Sequence, residues 1–294
     1  MRAVTVFLIA LPCILAVALF LRSRPILERV PVLDLLTSDV WRPSRGEFGF
    51  LPFLMGSAWV TILAMAIATP LCLLTAIYVS EYASPAFTAV FRPVIDVLAG
   101  IPSIVYGLWG VLAIVPAVER IAPFVGRHLG FVPGLSTASF VTGDCVLSGA
   151  VVLAVMVAPV IIAVSVEVLG AVPRELREAA LSVGATKWQT VKLVVLRKSF
   201  AGLVAAVILG FARALGETMA VLMVVGNVAN VPGSIFEAAY PLPALIANNY
   251  GEMMSVPLYD SALLLAALVL LAVVILFNLG ARAALKLVTV RFRR

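Results

Sequence analysis

Arg213 and Glu217 stand four residues apart in LGFARALGETMAVLM, inside a 27-residue apolar run from Ala201 to Asn227. A charge at the centre of a membrane-length helix costs about 2.5 to 3.5 kcal/mol, so both side chains are expected to face protein or water, not lipid. The spacing puts them on one helical face, and Ala212, Gly216 and Ala220 form a small-residue stripe on the next. A charged face beside a packing stripe suggests a cavity at a helix or subunit interface. Two chemistries fit. One is a self-neutralising structural ion pair, although the base precedes the acid, the less favourable order within an isolated helix. The other is an anion path, in which the Arg213 guanidinium fork matches two oxygens of a tetrahedral oxyanion. Glu217 would then repel a bare dianion such as sulfate yet accept a hydrogen bond from a protonated oxygen of phosphate.

Little else in the chain offers chemistry. His128 is the single histidine and reads as a surface loop residue; with no second histidine and no spaced cysteine cluster, no metal or cofactor is expected. Cys13 and Cys72 lie in apolar runs and Cys145 stands alone, so no disulfide is expected. No G-x-x-x-x-G-K-[ST] phosphate loop occurs. The chain is therefore not expected to hydrolyse ATP itself.

The elements that must hold Arg213 and Glu217 are membrane helices. With 63% hydrophobic and 12% charged residues and a mean hydropathy of +1.14, the 294 residues read as an all-α integral membrane protein. Six runs are long enough to cross a bilayer: Ala3 to Leu21, Pro52 to Val79, Val94 to Val118, Val146 to Leu169, Ala201 to Asn227 and Ala262 to Leu279. An even number puts both termini on one side. Five of the last thirteen residues are basic and residues 173–198 carry six more, which places both in the cytoplasm. The loop from Val228 to Ser261, with no Lys or Arg, agrees; Arg22, Arg24, Arg29, Arg42 and Arg45 oppose, nearly balanced by four acids. The net charge of +6 is thus an orientation signal and not a sign of nucleic-acid binding.

Residues 1–21 imitate a signal peptide, but no small-x-small cleavage site precedes Arg22, so the segment is expected to be a retained anchor. Residues 1–50 are read as this anchor with an outer loop, and 51–294 as the main membrane domain. The second run would span about 42 Å as one helix, so it must tilt, bend at Pro70 or protrude. Gly100, Pro102, Gly107 and Gly110 interrupt the third, which is either pore-lining or packed closely through its glycines. Asp96 near its inner end is expected at the interface, and Pro159 is expected to kink the fourth run. The stretch PLPALIANNYGEMMSV is either an interfacial helix that meets an outer protein or a plain cover.

Between the fourth and fifth runs lies the charged stretch from Pro173 to Lys198. Pro173 suits a first helical turn, Glu175 and Glu178 sit near the positive end of that helix, and Gly184 ends it. Thr186 with Gln189 has the form of a capping box that starts a second helix running into the membrane. Leu176, Ala179, Ala180 and Val183 share one face, expected to pack, with Arg174, Glu175, Arg177 and Glu178 mostly on the other. An amphipathic connector lying on the membrane surface fits the same pattern.

Glu178-Ala179-Ala180, Gly184, then Val194 and Leu196 resemble the EAA loop through which ABC-importer permeases engage their ATPases. Leu196 is followed by Arg197 where such loops usually have proline, so here the helix is expected to continue. GIPSIVYGLWG, VPRELREAALSVGAT and AAVILGFARALGETMAV stand in the order and spacing of phosphate ABC-importer permeases of the PstC type, a resemblance covering roughly Gly46 to Arg282. It implies the six-helix, type I (MetI-like) importer permease fold in a bacterial cytoplasmic membrane. It implies Arg213, Glu217 and the adjacent Thr218 on the phosphate path, and Glu178, Ala179, Ala180 and Gly184 at the ATPase contact. The implied partners are a second permease chain (PstA type), two ATPase subunits (PstB type), a periplasmic or lipid-anchored phosphate-binding protein (PstS type), and membrane lipid. A permease for sulfate or molybdate, an ATP-independent channel or secondary transporter, and a membrane sensor or scaffold remain alternatives.

Overall fold

The computed structural model describes residues 2–129, 131, 132, 134, 135, 142–252 and 255–292. They fold as helices joined by short turns, with one small hairpin of β1 (Trp41–Arg42) and β2 (Glu47–Phe48). The helices are α1 (Arg2–Leu27), α2 (Val32–Thr37), α3 (Leu51–Ile77), α4 (Pro85–Gly100), α5 (Ser103–Trp109), α6 (Val115–Leu129) and α7 (Val146–Gly170). After these come α8 (Arg174–Ser182), α9 (Lys187–Thr190), α10 (Leu196–Leu215), α11 (Met219–Leu222), α12 (Leu242–Asn249) and α13 (Tyr259–Phe292). Among the described residues six segments are long and apolar enough to cross a membrane.

α7 is apolar on every side and is the axis of the bundle, with 15 of its 25 residues buried. A helix hydrophobic all round belongs inside. α3 lies along it, α10 packs against both, α4 covers its end near α8, and α13 bridges α10 to α1. Small residues set these distances: a Cβ on Gly210 would stand 2.5 Å from Ile161, and one on Gly202 2.4 Å from Val168. Van der Waals fit of this kind holds membrane helices together where lipid removes the usual hydrophobic drive.

The expected spans are corrected in two places. The third run is not one helix: Ile101 is extended (φ −66°, ψ 131°), as the residue before a proline prefers, and Pro102 separates α4 from α5. The crossing segment is then Ser103–His128, with a π turn at Gly110–Ile114. The fifth run ends as a helix at Leu215, capped by Gly216, and does not reach Asn227. Elsewhere the helices are continuous. α3 passes Pro70 unbroken and continues through a π turn, Tyr78–Tyr82, to a total of 32 residues, about 48 Å. Its last turn meets α8 through Glu81 and Arg177.

The far end of the bundle, opposite α8, is closed by aromatic packing. Trp41 meets Phe48 and Phe53 edge to face at 5.5 and 5.0 Å, and Phe53 meets Tyr240 at 5.4 Å. The Tyr240 hydroxyl accepts from Asn248 and Asn249 at 2.9 and 2.7 Å, and the Tyr259 hydroxyl donates to Asn249 at 2.8 Å. α12 buries Leu242, Pro243, Ala244 and Leu245 between α3 and α13. This segment is a cover built into the bundle.

Candidate functional site

Arg213 lies in the last turn of α10, where the free carbonyls of a helix end favour a cation. Its side chain is exposed on the chain's surface. The expected shared face with Glu217 does not form, because the helix stops between them. Gly216 turns the chain, and the Glu217 carboxylate accepts the amide of Ala220 at 3.1 Å, capping α11. Among the described residues the ion pairs are Arg24–Glu28 and Arg177–Glu81, so Arg213 and Glu217 do not neutralise each other. The small-residue stripe is divided in the same way. Ala220 packs against α5, where a Cβ on Gly107 would stand 3.1 Å from its Cα. Gly110 meets Val152 and Val224, so Gly107 and Gly110 serve close packing, whereas a Cβ on Gly100 would meet open space.

Glu217 borders a recess of about 10 Å³ with Ser57, Val60, Thr61, Leu153 and Leu215. That is room for about one water, not for an oxyanion. Thr218 donates to the Gly216 carbonyl at 3.4 Å. Tyr106, which sequence reasoning did not single out, lies within electrostatic reach of Arg213. Its hydroxyl donates to Leu98 at 2.8 Å, bridging the break at Pro102. The only signal for it was the motif GIPSIVYG.

The second candidate region is the hairpin of α8 and α9. Pro173 is the residue just before the first turn, Gly184 has φ +89°, and the capping box is present. Thr186 Oγ1 accepts the Gln189 amide at 3.3 Å while Gln189 Oε1 accepts the Thr186 amide at 2.8 Å. The helix then continues through the π turn Val191–Val195 and past Arg197 into α10. Glu178 and Ala179 are exposed and Ala180 half-buried.

The face expected to pack is instead largely outward, with Val183 83% and Leu176 40% exposed. Arg177, expected on the displayed side, turns in. Its guanidinium donates to Glu81 at 2.7 and 3.3 Å, to the Leu169 carbonyl at 2.9 Å and to the Val172 carbonyl. Ion pairing and the free carbonyls at the end of α7 set this orientation.

A groove of about 210 Å³ opens near these helix ends, with Arg92, Asp96 and Glu167 around an apolar floor. Asp96 is exposed there. His128, expected in a surface loop, lies instead in the last turn of α6, exposed, with its ring bonded to the Phe124 carbonyl one turn back at 2.9 Å. Among the described residues no group of His, Cys, Asp and Glu is arranged to hold a metal, and the three cysteines are free.

Residues 68–294 match the family model of the binding-protein-dependent transport system inner membrane component. Among curated relatives, the probable ABC transporter permease protein YqgH of Bacillus subtilis is 38% identical over 85% of this chain and 76% of its own length. The phosphate transport system permease protein PstC 2 of Mycobacterium tuberculosis is 36% identical over 92% and 85%, respectively. The phosphate transport system permease protein PstC of Mesorhizobium japonicum is 32% identical over 99% and 89%. Among solved structures, a chain of the inward-facing MetNI methionine ABC transporter superposes with a TM-score of 0.54 at 20% identity, covering 82% of this chain and 94% of that one. That likeness concerns the fold, and it is the six-helix importer fold the motifs imply.

Proposed function

This chain belongs to the family of binding-protein-dependent transport system inner membrane components, and from that membership we infer that it is the permease subunit of an ATP-driven phosphate importer. Phosphate as cargo is supported by the relatives, several of which carry that function in their names at 32 to 37% identity. In this reading the chain is a multi-pass protein of the bacterial cytoplasmic membrane with both termini and the α8–α9 hairpin in the cytoplasm. Residues 1–50 anchor it and 51–294 form the permease unit. Hydrolysis is supplied by two ATPase subunits, and phosphate by an outer binding protein.

The observation that carries the site assignment is the exposed Arg213 at the end of a membrane helix. A guanidinium at that depth cannot face lipid cheaply, and the recess in this chain is too small for phosphate. The anion chamber is therefore completed by a second permease chain facing Arg213. Arg213 supplies the fork, and the Glu217 oxygen not engaged by Ala220 tests the cargo for a proton. Thr218, in the turn between them, borders the same path. Glu178, Ala179, Ala180 and Gly184 present the hairpin to the ATPase, and the outward Val183 and Leu181 give that contact an apolar centre.

Two measurements test this. Copurification of the ATPase with the natural chain separates an importer permease from a channel or scaffold; uptake that proceeds without ATP would contradict the importer. Glu217→Gln keeps the acceptor for Ala220 and removes the charge, so the preference for phosphate over sulfate should narrow. An unchanged preference would remove Glu217 from cargo selection.

A further inference from the structure

Glu81 lies in the π turn that ends α3, and Arg177, 96 residues later, lies in the middle of α8. They meet as a two-pronged ion pair, Nη2 to Oε1 at 2.7 Å and Nε to Oε2 at 3.3 Å. The Arg177 and Glu81 side chains are 19% and 8% exposed, respectively, so water screens the pair less than it would a surface one. The same guanidinium holds the Leu169 and Val172 carbonyls where α7 ends. The second arm of the hairpin reaches the same turn of α3. The Lys187 ammonium stands 4.7 Å over the Tyr82 ring. Both arms, one on either side of Gly184, thus grip the five residues Tyr78–Tyr82.

From that grip α3 runs unbroken to Thr61 and Ser57, which border the recess beside Glu217. Glu81 to Thr61 is a rod of about 30 Å. We propose that the Arg177–Glu81 pair is a latch that makes α3 follow the coupling hairpin. A displacement of α8 then reaches the recess through α3, in addition to the covalent route through α9 into α10. Arg177 and Glu81 are positioning residues, acting through α3 on the anion path. The proposal rests on the hairpin being the ATPase contact. Without the latch the hairpin swings about Gly184 and α3 stays behind, so hydrolysis continues while transport falters.

The test is phosphate moved per ATP hydrolysed by the complete complex in vesicles. Arg177→Met removes every bond the guanidinium makes; Glu81→Gln removes only the charge. Both variants should still copurify with the ATPase and hydrolyse ATP. Phosphate per ATP should fall roughly tenfold in Arg177→Met and less in Glu81→Gln, and the double variant should be no worse than Arg177→Met, as for two halves of one interaction. An unchanged ratio in both single variants, or losses that multiply in the double, would overturn the latch.

A second measurement uses one protein as its own control. Glu81→Cys and Arg177→Cys in a Cys13→Ala chain are bridged with a short, reductant-cleavable thiol cross-linker. If hairpin and α3 travel together, the bridge restores the ratio and reductant removes the gain. A bridge that stops transport means the two must part in each cycle, and overturns the proposal. The natural complex run alongside carries the importer reading itself: no uptake there overturns that reading and the latch with it, whereas uptake there leaves the variants to speak for the latch alone.

Discussion

Glu217 and Arg213 are four residues apart in sequence and on opposite sides of a helix end, which is why the carboxylate serves the Ala220 amide and not the guanidinium. Arg213 is left with charge and donors directed at whatever faces this chain. Arg213→Lys keeps the charge and loses the fork, so uptake should drop by about tenfold with ATP hydrolysis intact, and full uptake would mean a point charge suffices. At the far end of α7, Asp144 is held above the usual carboxylate range by burial first and by Glu119 second. The folded chain therefore retains a proton at a pH where the unfolded chain has lost it. The penalty is absent in acid, below the unfolded value, and grows as pH rises from there through the raised folded value. Asp144→Asn should melt with the natural chain in acid and above it once both carboxyls would be ionised. Parallel melting curves across that window would contradict the assignment.

At the scale of elements, what the sequence revealed was local. The capping box at Thr186 and Gln189, the turn at Gly184 and the long apolar stretches are each written in residues within a few positions of one another. The end of α10 at Leu215 was hidden, because hydrophobicity continues to Asn227 while the backbone turns at Gly216. The role of Arg177 was hidden for a different reason: its partner is 96 residues away, and helical periodicity alone put it on the displayed face. Two substitutions probe these elements. Gly184→Ala forces a Cβ into φ +89°, in open space, so strain of about 1 kcal/mol is confined to the elbow; ATPase copurification should weaken while the melting temperature drops by no more than a few degrees. Gly107→Ala brings a Cβ to 3.1 Å from the Ala220 backbone and 2.7 Å from Met223 Sδ. It should lower stability by about 1 to 3 kcal/mol, read as a lower melting temperature in detergent. An unaffected melting temperature would mean that α5 and α11 are free to separate.

Across the whole molecule, α3, α7 and α10 tie a charged hairpin at one end to Arg213 and Glu217 within the bundle, where Gly210 packs on Ile161 in the middle of α7. The aromatic and Asn–Tyr packing around Trp41 and Tyr240 closes the far end. Such an arrangement suits rigid-body gating, in which ATPase closure moves one set of helices against another. The most direct measurement is ATP-dependent phosphate uptake into vesicles carrying the complete complex, natural chain against Arg213→Ala, with hydrolysis followed in parallel. Uptake lost while assembly and hydrolysis persist is the expected result, and it puts the guanidinium on the anion path. Undiminished uptake would contradict that role and leave Arg213 as a cation in the last turn of α10.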